Sequence, residues 1–316
     1  MPLARSFLFR LFLQKCFPLF QKAFVLNIKS NKVTDIRATY TGKLRKLYPE
    51  EEAGSLLDIL LLEIAGINRM QRIADKALRL SESEILKIHF ACKELMQQRP
   101  IQYILGHTDF YGLRLKVNEH VLIPRPETEE LVEWIIKTYK NIGSSKILDI
   151  GTGSGAIALA LSKNLADAEI WALDVSTEAL EVAALNGAAL ELPVKWIGAD
   201  IGNSSQYHQF PLFDVIVSNP PYVTESDKAL MQANVLDYEP AGALYVSDAD
   251  PLVFYRNIIT FTQTHLNSGG AIFMEINERF GKEMHAVLAE SGFQNIELRH
   301  DLRGRMRMVR AQKPVF

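Results

Sequence analysis

An apolar run meets a glycine-rich turn at Lys146-Ile-Leu-Asp-Ile-Gly-Thr-Gly-Ser-Gly-Ala156. Its first five residues are typical of a buried strand. The glycines that follow let the backbone turn sharply and approach a ligand closely. A helix that begins at Ala156 would point its N-terminus at that ligand and favour an anionic group there. The segment therefore predicts a strand, a ligand-binding loop and a helix in succession.

The chain downstream continues this alternation of strands and helices. Predicted strands cover residues 169–173, 195–198 and 213–217, and predicted helices cover residues 156–165 and 177–190. A regular β-α-β order calls for a doubly wound parallel sheet with helices on both faces. Ligands of such sheets bind beyond the carboxyl ends of the strands. The fold class predicted for this part of the chain is therefore α/β.

The chain upstream shows other periodicities. From residue 34 to about residue 98 apolar residues recur at helical spacing, as in Leu56, Leu60 and Ile64, which predicts a small helical bundle. Short alternating runs then predict a β-hairpin, and Thr128 is predicted to cap the next helix. The predicted domains are a helical domain at residues 34–105, a β-hairpin linker at 106–123 and an α/β domain at 124–316.

Residues 1–33 form an apolar extension that is basic and precedes the first acidic residue, Asp35. Its basic residues interrupt any apolar stretch long enough to span a membrane, so no membrane association is predicted. Two explanations of the extension stay open. It is either an organelle transit peptide or a segment without function that an upstream start codon adds.

Charge and cysteine content restrict the function classes. The chain has 35 lysines and arginines against 37 aspartates and glutamates, a formal net charge of −2. Stable binding to nucleic acid is disfavoured, because neutralising many phosphates requires a basic surface. Cys16 and Cys92 lie far apart without the spacing of metal ligands, so no metal site is predicted. Five arginines near the C-terminus alternate along a predicted strand and are interpreted as a solvated edge: Arg299, Arg303, Arg305, Arg307 and Arg310.

Candidate cofactor residues follow three successive predicted strands. Asp174 closes the second strand, where its carboxylate could accept hydrogen bonds from ribose hydroxyls. Asp200 follows the third strand and could meet an adenine edge, with Ile201 beside it as an apolar wall. NAD and S-adenosylmethionine fit this pattern equally well. The loop after the first strand completes the predicted cofactor site with Gly151, Thr152, Gly153, Ser154 and Gly155.

A second loop, Asn219-Pro-Pro-Tyr222, follows the fourth predicted strand. Proline has no backbone N–H and biases the residue before it toward extended geometry, so the loop offers acceptors where two donors are missing. A primary amide or an exocyclic amine would donate both its N–H groups to these acceptors, which would align its nitrogen with a sulfonium methyl group. The predicted catalytic residues are Asn219, Pro220 and Tyr222, with the ring of Tyr222 packed on the planar group. The substrate-binding residues are Asn219, Pro220, Pro221 and Tyr222.

Three functions compete at this point. The leading hypothesis is methyl transfer to an amide nitrogen. The same loop would suit an exocyclic-amine methyltransferase that acts on adenine or guanine in nucleic acid, but such an enzyme needs a basic groove. The third hypothesis is a nucleotide-binding oxidoreductase or a non-catalytic binding module, and neither gives the Asn-Pro-Pro-Tyr loop a role.

Residues 34 to 313 closely resemble the protein-(glutamine-N5) methyltransferases that modify class I peptide-chain release factors. The most specific marks of this resemblance are Arg99-Pro-Ile-Gln-Tyr-Ile-Leu-Gly106, Val121-Leu-Ile-Pro-Arg-Pro-Glu-Thr-Glu129, Asp149-Ile-Gly-Thr-Gly-Ser-Gly155, Asn219-Pro-Pro-Tyr222 and Glu239-Pro240. The fold that it implies is a class I S-adenosylmethionine-dependent methyltransferase, Rossmann-like, with a mainly parallel seven-stranded sheet preceded by a small N-terminal helical bundle.

The resemblance also implies a reaction and a partner. The methyl group would go from S-adenosylmethionine to the glutamine of the release factor's Gly-Gly-Gln motif, which the loop at residues 219–222 would hold. The cofactor would lie against residues 151–155, Asp174 and Ile201, with Asn219 near the methyl donor. The helical domain would help to dock the release factor, and the enzyme is expected to be a monomer. A bacterial cytoplasm is the favoured location, with a mitochondrion as the alternative if residues 1–33 are a transit peptide.

Overall fold

The structure, a computed structural model, describes residues 30–231 and 233–315. The chain divides into two compact units, residues 1–96 and residues 97–316. The predicted extension falls almost wholly outside the described residues, and so does Cys16. Within the two described ranges, no helix is long and apolar enough to cross a membrane.

The described part of the first unit, residues 30–96, contains four helices: α1 (Val33–Leu44), α2 (Glu50–Ala65), α3 (Arg69–Ala74) and α4 (Glu82–Leu95). Helices α1, α2 and α4 pack on one another through fully buried residues such as Ile36, Leu57, Leu60 and Ile88. A capping box fixes the start of α4, because the Ser81 side chain accepts the Glu84 N–H while the Glu84 side chain accepts the Ser81 N–H. The predicted N-terminal helical bundle is confirmed.

The second unit begins with α5 (Ile101–Leu105) and the hairpin of β1 (His107–Phe110) and β2 (Leu113–Lys116), which are antiparallel. Helix α6 (Pro126–Tyr139) follows. It begins two residues before Thr128, and its N-cap is Arg125 without a side-chain hydrogen bond. The predicted capping role of Thr128 is therefore wrong, because the Thr128 hydroxyl donates to a distant carboxylate instead.

Seven strands form one sheet in the order β10-β11-β9-β6-β3-β4-β5. Of these seven described strands, β11 runs antiparallel to the other six, which are parallel to one another. The predicted, mainly parallel seven-stranded sheet is confirmed. Its strands and helices are β3 (Lys146–Ile150), α7 (Ala156–Asn164), β4 (Glu169–Asp174), α8 (Thr177–Leu190), β5 (Lys195–Gly198), β6 (Phe213–Ser218), α10 (Val253–His265), β9 (Leu266–Glu275), α11 (Gly281–Glu290), β10 (Gln294–His300) and β11 (Met306–Gln312).

The two faces of the sheet carry two separate parts of the core. Successive strand residues point to opposite faces, so Ile147 packs with residues of α6 and α7 while Leu148 packs with residues of α10 and α11. Helices thus cover both faces of the sheet, as a doubly wound arrangement requires. The chain leaves β3 toward β4 and β5 on one side, and β6 lies on the other side. A crevice opens at such a reversal, at the carboxyl ends of β3 and β6.

A long connection joins β6 to α10. It contains β7 (Val223–Thr224), a 3-10 helix at Glu225–Leu230, α9 (Ala233–Tyr238), a 3-10 helix at Ala241–Ala243 and β8 (Tyr245–Val246). Strands β7 and β8 pair in parallel as a small separate sheet. The connection therefore has regular structure of its own and is placed beside the carboxyl end of β6.

Candidate active site

The glycine-rich loop follows β3 and is tied to the end of β4. Gly151, Gly153 and Gly155 have φ angles of 74°, 55° and 82°, in the left-handed region that favours glycine. The backbone N–H of Gly151 donates to the Leu173 carbonyl at 2.8 Å, and that of Gly153 donates to Asp174 Oδ2 at 2.8 Å. Hydrogen bonds between neighbouring strand ends thus set the loop's shape.

A cavity of about 310 Å3 opens above this loop. Six of the predicted cofactor residues line it: Gly151, Gly153, Asp174, Asp200, Ile201 and Asn219. The structure thus brings together residues that follow β3, β4, β5 and β6, as their positions at strand ends predicted. Their contact with a cofactor stays a prediction.

Three predicted loop residues, Thr152, Ser154 and Gly155, are not among the described residues that line this cavity. Thr152 donates from Oγ1 to the buried Asp149 Oδ2 at 2.6 Å, and the Ser154 carbonyl accepts the Asn186 side-chain N–H at 2.9 Å. Gly155 lies against the ring of Trp196, where an added Cβ would come within 3.0 Å. These three residues support the loop from behind.

The two aspartates in the cavity wall have different surroundings. Asp174 accepts the N–H groups of Gly153 and Ser176, and burial raises the pKa of its carboxyl group while these hydrogen bonds oppose the rise. The Val175 N–H also bonds to this carboxylate, which has about four lone-pair sites, so Asp174 retains acceptor capacity for about one hydroxyl group. Asp200 is exposed, and its Oδ1 accepts the Gly202 N–H at 2.7 Å in a local turn. The geometry therefore supports a ligand contact more strongly for Asp174 than for Asp200.

Asp149 is fully buried under the loop, and burial raises the pKa of its carboxyl group from 3.8 to about 7. Because the folded pKa exceeds the ordinary value, the folded state binds more protons, and this group's contribution to the free energy of unfolding falls between about pH 4 and pH 7. Asp149→Asn retains an acceptor for Thr152 but cannot titrate. We expect the variant to gain stability relative to wild type as the pH rises through that window.

Urea unfolding of both proteins at several pH values, with the exposed Asp167→Asn variant as control, measures this difference. A difference in unfolding free energy that stays constant from pH 4 to pH 8 would refute the assignment.

A second cavity, of about 340 Å3, lies next to the first. Among the described residues its wall is apolar apart from Arg125, Asn219 and Tyr222. Asn219 and Pro220 line both cavities, Pro221 lines only the first, and Tyr222 lines only the second. The Asn-Pro-Pro-Tyr loop therefore separates the first cavity, which the predicted cofactor residues line, from a second cavity of similar volume that could receive an acceptor group.

Hydrogen bonds fix the side chains of this loop. The Asn219 Nδ2 donates to Thr128 Oγ1 at 3.2 Å, and Thr128 Oγ1 donates to Glu275 Oε2 at 2.7 Å. The Tyr222 hydroxyl donates to Glu275 Oε1 at 2.7 Å, and burial raises the pKa of Tyr222 well above its usual range. Tyr222 thus lines the second cavity while a buried carboxylate holds its hydroxyl group.

Arg307 also contacts the hydroxyl group of Tyr222. Its Nη1 donates to the Tyr222 hydroxyl at 3.4 Å, and its Nε lies 3.5 Å from Asp301 Oδ2. The Arg307 side chain is only 14% exposed. The interpretation of the C-terminal arginines as a solvated edge is therefore wrong for Arg307, although the side chains of Arg303 and Arg305 are exposed. A strand pattern does not reveal which arginine has a buried carboxylate opposite it.

Glu239 anchors the outer wall of the second cavity. Its buried carboxylate accepts the Arg125 guanidinium at 2.6 Å and the Ile123 N–H at 3.2 Å. Arg125 and Ile123 belong to the segment before α6, so the connection between β6 and α10 is attached there. The sequence motif marked Glu239 without giving it a role, whereas the structure shows it as the attachment point. In the described ranges, no three His, Cys, Asp or Glu residues are grouped as a metal ion would require.

Comparison with known proteins places this site in context. Residues 35–106 match the family model of the PrmC N-terminal domain, and residues 128–246 match that of the methyltransferase small domain. A release factor glutamine methyltransferase from Flavobacterium psychrophilum is 42% identical over 281 residues, which are 88% of this chain and 98% of that protein. The protein of the same name from Bacteroides thetaiotaomicron is 38% identical over 278 residues, 88% of this chain and 99% of the relative.

Among solved structures, the hMettl16 catalytic domain in complex with MAT2A 3'UTR hairpin 6 aligns with a TM-score of 0.50. The alignment covers 75% of this chain and 83% of that one, at 16% sequence identity. The alignment shows that the two proteins share a fold. At this low sequence identity it shows nothing further.

Proposed function

The chain belongs to the release factor glutamine methyltransferases, and we propose that it transfers a methyl group from S-adenosylmethionine to the glutamine side-chain amide nitrogen in the Gly-Gly-Gln motif of class I peptide-chain release factors. One observation carries the proposal for the site. Asn219 and Pro220 line both the first cavity, called the cofactor cavity from here on, and the second cavity, called the acceptor cavity. A group bound in one cavity is therefore adjacent to a group bound in the other across this loop.

The residues of the first cavity suit S-adenosylmethionine. Asp174 keeps acceptor capacity for a ribose hydroxyl, and Ile201 and Val121 offer apolar surface for a base. When bound, this cofactor supplies an electrophilic methyl group on a sulfonium. We propose that the cofactor residues are Gly151, Thr152, Gly153, Ser154, Gly155, Asp174, Asp200, Ile201 and Asn219, of which Thr152, Ser154 and Gly155 act by shaping the loop.

The acceptor cavity suits a primary amide. Amide nitrogen is a poor nucleophile, because its lone pair is delocalised into the carbonyl group. Asn219 Oδ1 and the carbonyl oxygen of Pro220 would accept the two N–H groups, hold the nitrogen in line with the methyl group and stabilise the positive charge that develops on it. Tyr222 would pack on the planar amide. The proton can leave after transfer, so no general base has to act before the methyl group moves.

Several parts of the proposal concern partners and location. The helical unit is proposed to help dock the release factor, and the enzyme to act as a monomer without a membrane or a stably bound nucleic acid. The favoured location is a bacterial cytoplasm. The net charge of −2 supports a protein substrate over nucleic acid.

Transfer of label from S-adenosylmethionine carrying a radioactive methyl group tests the proposed reaction. We expect label on a class I release factor and none on the same release factor with the glutamine of its Gly-Gly-Gln motif replaced by alanine. DNA and RNA serve as competing acceptors in parallel reactions. Label on a nucleic acid but not on the release factor would reject the proposal in favour of an exocyclic-amine methyltransferase.

A further inference from the structure

We propose that Glu275 is a positioning residue, whose buried carboxylate fixes which end of the Asn219 amide faces the cavities and which way the Tyr222 ring is held. This inference rests on the proposed function, because it concerns the geometry of the same transfer site. Glu275 lies at the end of β9, which pairs with β6 so that Met274 is opposite Ser218, the residue before Asn219. Only 1% of its surface is exposed.

The direction of each hydrogen bond follows from what the groups can do. Thr128 Oγ1 donates to Glu275 Oε2 at 2.7 Å, which uses the single proton of the Thr128 hydroxyl group. The Thr128 oxygen then has only lone pairs to offer to Asn219. The contact of 3.2 Å between Thr128 and Asn219 therefore requires the Nδ2 end of the amide.

This arrangement decides what Asn219 presents to a ligand. With Nδ2 directed at Thr128, the other branch of the amide, Oδ1, is left to accept a hydrogen bond in the cavities that Asn219 lines. A flipped amide would present N–H groups to the N–H groups of the acceptor, and the two sets of donors could not bond. Glu275 thus controls the polarity of a side chain that it does not touch.

The same carboxylate holds Tyr222. Its Oε1 accepts the Tyr222 hydroxyl at 2.7 Å, and Tyr222 lines the second cavity. Burial raises the pKa of Glu275, whereas Thr128, Tyr222 and Arg307 oppose the rise. The neighbouring cation Arg307, itself paired with Asp301, therefore favours the ionised carboxylate on which the two donated hydrogen bonds depend.

The substitution Glu275→Gln tests this relay with little change of shape. A glutamine amide can donate to Thr128, which frees the Thr128 proton for Asn219 Oδ1 and allows the Asn219 amide to flip. We expect kcat to fall about tenfold, which corresponds to the net contribution of about one hydrogen bond. The Kd of S-adenosylmethionine and the KM of the release factor should stay within about twofold.

Thr128 provides a matched pair of variants. Thr128→Val removes the hydroxyl group and should lower kcat about tenfold, whereas Thr128→Ser keeps the hydroxyl group and should restore most of the lost activity. Because Thr128 and Glu275 act through one relay, the double variant Thr128→Val/Glu275→Gln should be little worse than either single variant. A purely structural role would lower the Tm of each variant without this pattern in kcat.

The outcomes separate this inference from the proposed function. If the wild-type protein does not methylate the release factor, the proposed function fails. If the wild type is active but Glu275→Gln retains its kcat, or Thr128→Ser is as impaired as Thr128→Val, the relay is refuted. Losses that multiply in the double variant would refute it equally. Should Glu275→Gln fail to fold, the Thr128 pair decides alone.

Discussion

Replacing Asn219 by alanine should lower kcat by about a hundredfold or more, because it removes a preorganised acceptor that acts on the charge developing in the transition state. Asn219 lines both cavities, and Thr128 holds its amide in one orientation. The Kd of S-adenosylmethionine should change much less, since the other cofactor residues remain. Single-turnover methylation of the release factor measures the chemical step, and calorimetry measures cofactor binding.

The control for this prediction is Asn141→Ala, in an exposed turn that belongs to the wall of neither cavity. It should leave both quantities at the wild-type level. An Asn219→Ala enzyme with unchanged turnover would show that the role of this asparagine has been misassigned. A loss confined to cofactor affinity would place Asn219 in the cofactor site alone.

Replacing Asp174 by alanine should weaken cofactor binding by about 30- to 150-fold, as expected from about 2 to 3 kcal/mol for hydrogen bonds to a charged group. Asp174 lines the cofactor cavity and also accepts the Gly153 N–H, so its loss removes a ligand contact and loosens the glycine-rich loop. At saturating cofactor, kcat should change much less than Kd. Equilibrium binding and initial rates at varied cofactor concentration measure both effects.

Asp167→Ala, which alters an exposed loop residue before β4, is the matched control and should bind the cofactor like wild type. If Asp174→Ala bound the cofactor normally but turned over slowly, the carboxylate would have to act on the acceptor instead. Opposite profiles for Asn219→Ala and Asp174→Ala, one in kcat and the other in Kd, would support the division of the site into two cavities.

The arrangement of the two cavities explains how one loop serves both ligands. Prolines at residues 220 and 221 have no backbone N–H, so the loop has no donors there. The amide that receives the methyl group must itself donate hydrogen bonds at this place. Glu239 attaches the outer wall of the acceptor cavity to Arg125 and Ile123. One wall of the acceptor cavity is therefore a segment that is bound to the rest of the second unit through an ion pair whose carboxylate is buried.

Local sequence patterns were sufficient to predict the sheet, the glycine-rich loop and the Asn-Pro-Pro-Tyr loop. Strands β3 and β5 and helix α8 have the predicted bounds, since apolar runs and helical spacing are properties of neighbouring residues. The positive φ angles of the glycine-rich loop could likewise be anticipated, because glycine adopts them without strain. Parallel strands place their carboxyl ends along one edge, so the order of the motifs was enough to bring Asp174 and Asn219 to one cavity.

The hydrogen bonds that hold the side chains of the Asn-Pro-Pro-Tyr loop could not be predicted from local patterns. Thr128 and Glu275 are 147 residues apart, and no periodicity links them. One signal was available, since Glu275 ends the apolar run Ala271-Ile-Phe-Met and a buried carboxylate needs partners. Which partners it finds depends on β9 lying beside β6 and on where α6 begins. Secondary structure and loop chemistry are encoded by near neighbours along the chain, whereas the hydrogen-bond partners of a buried charge are set by the order in which distant strands pack.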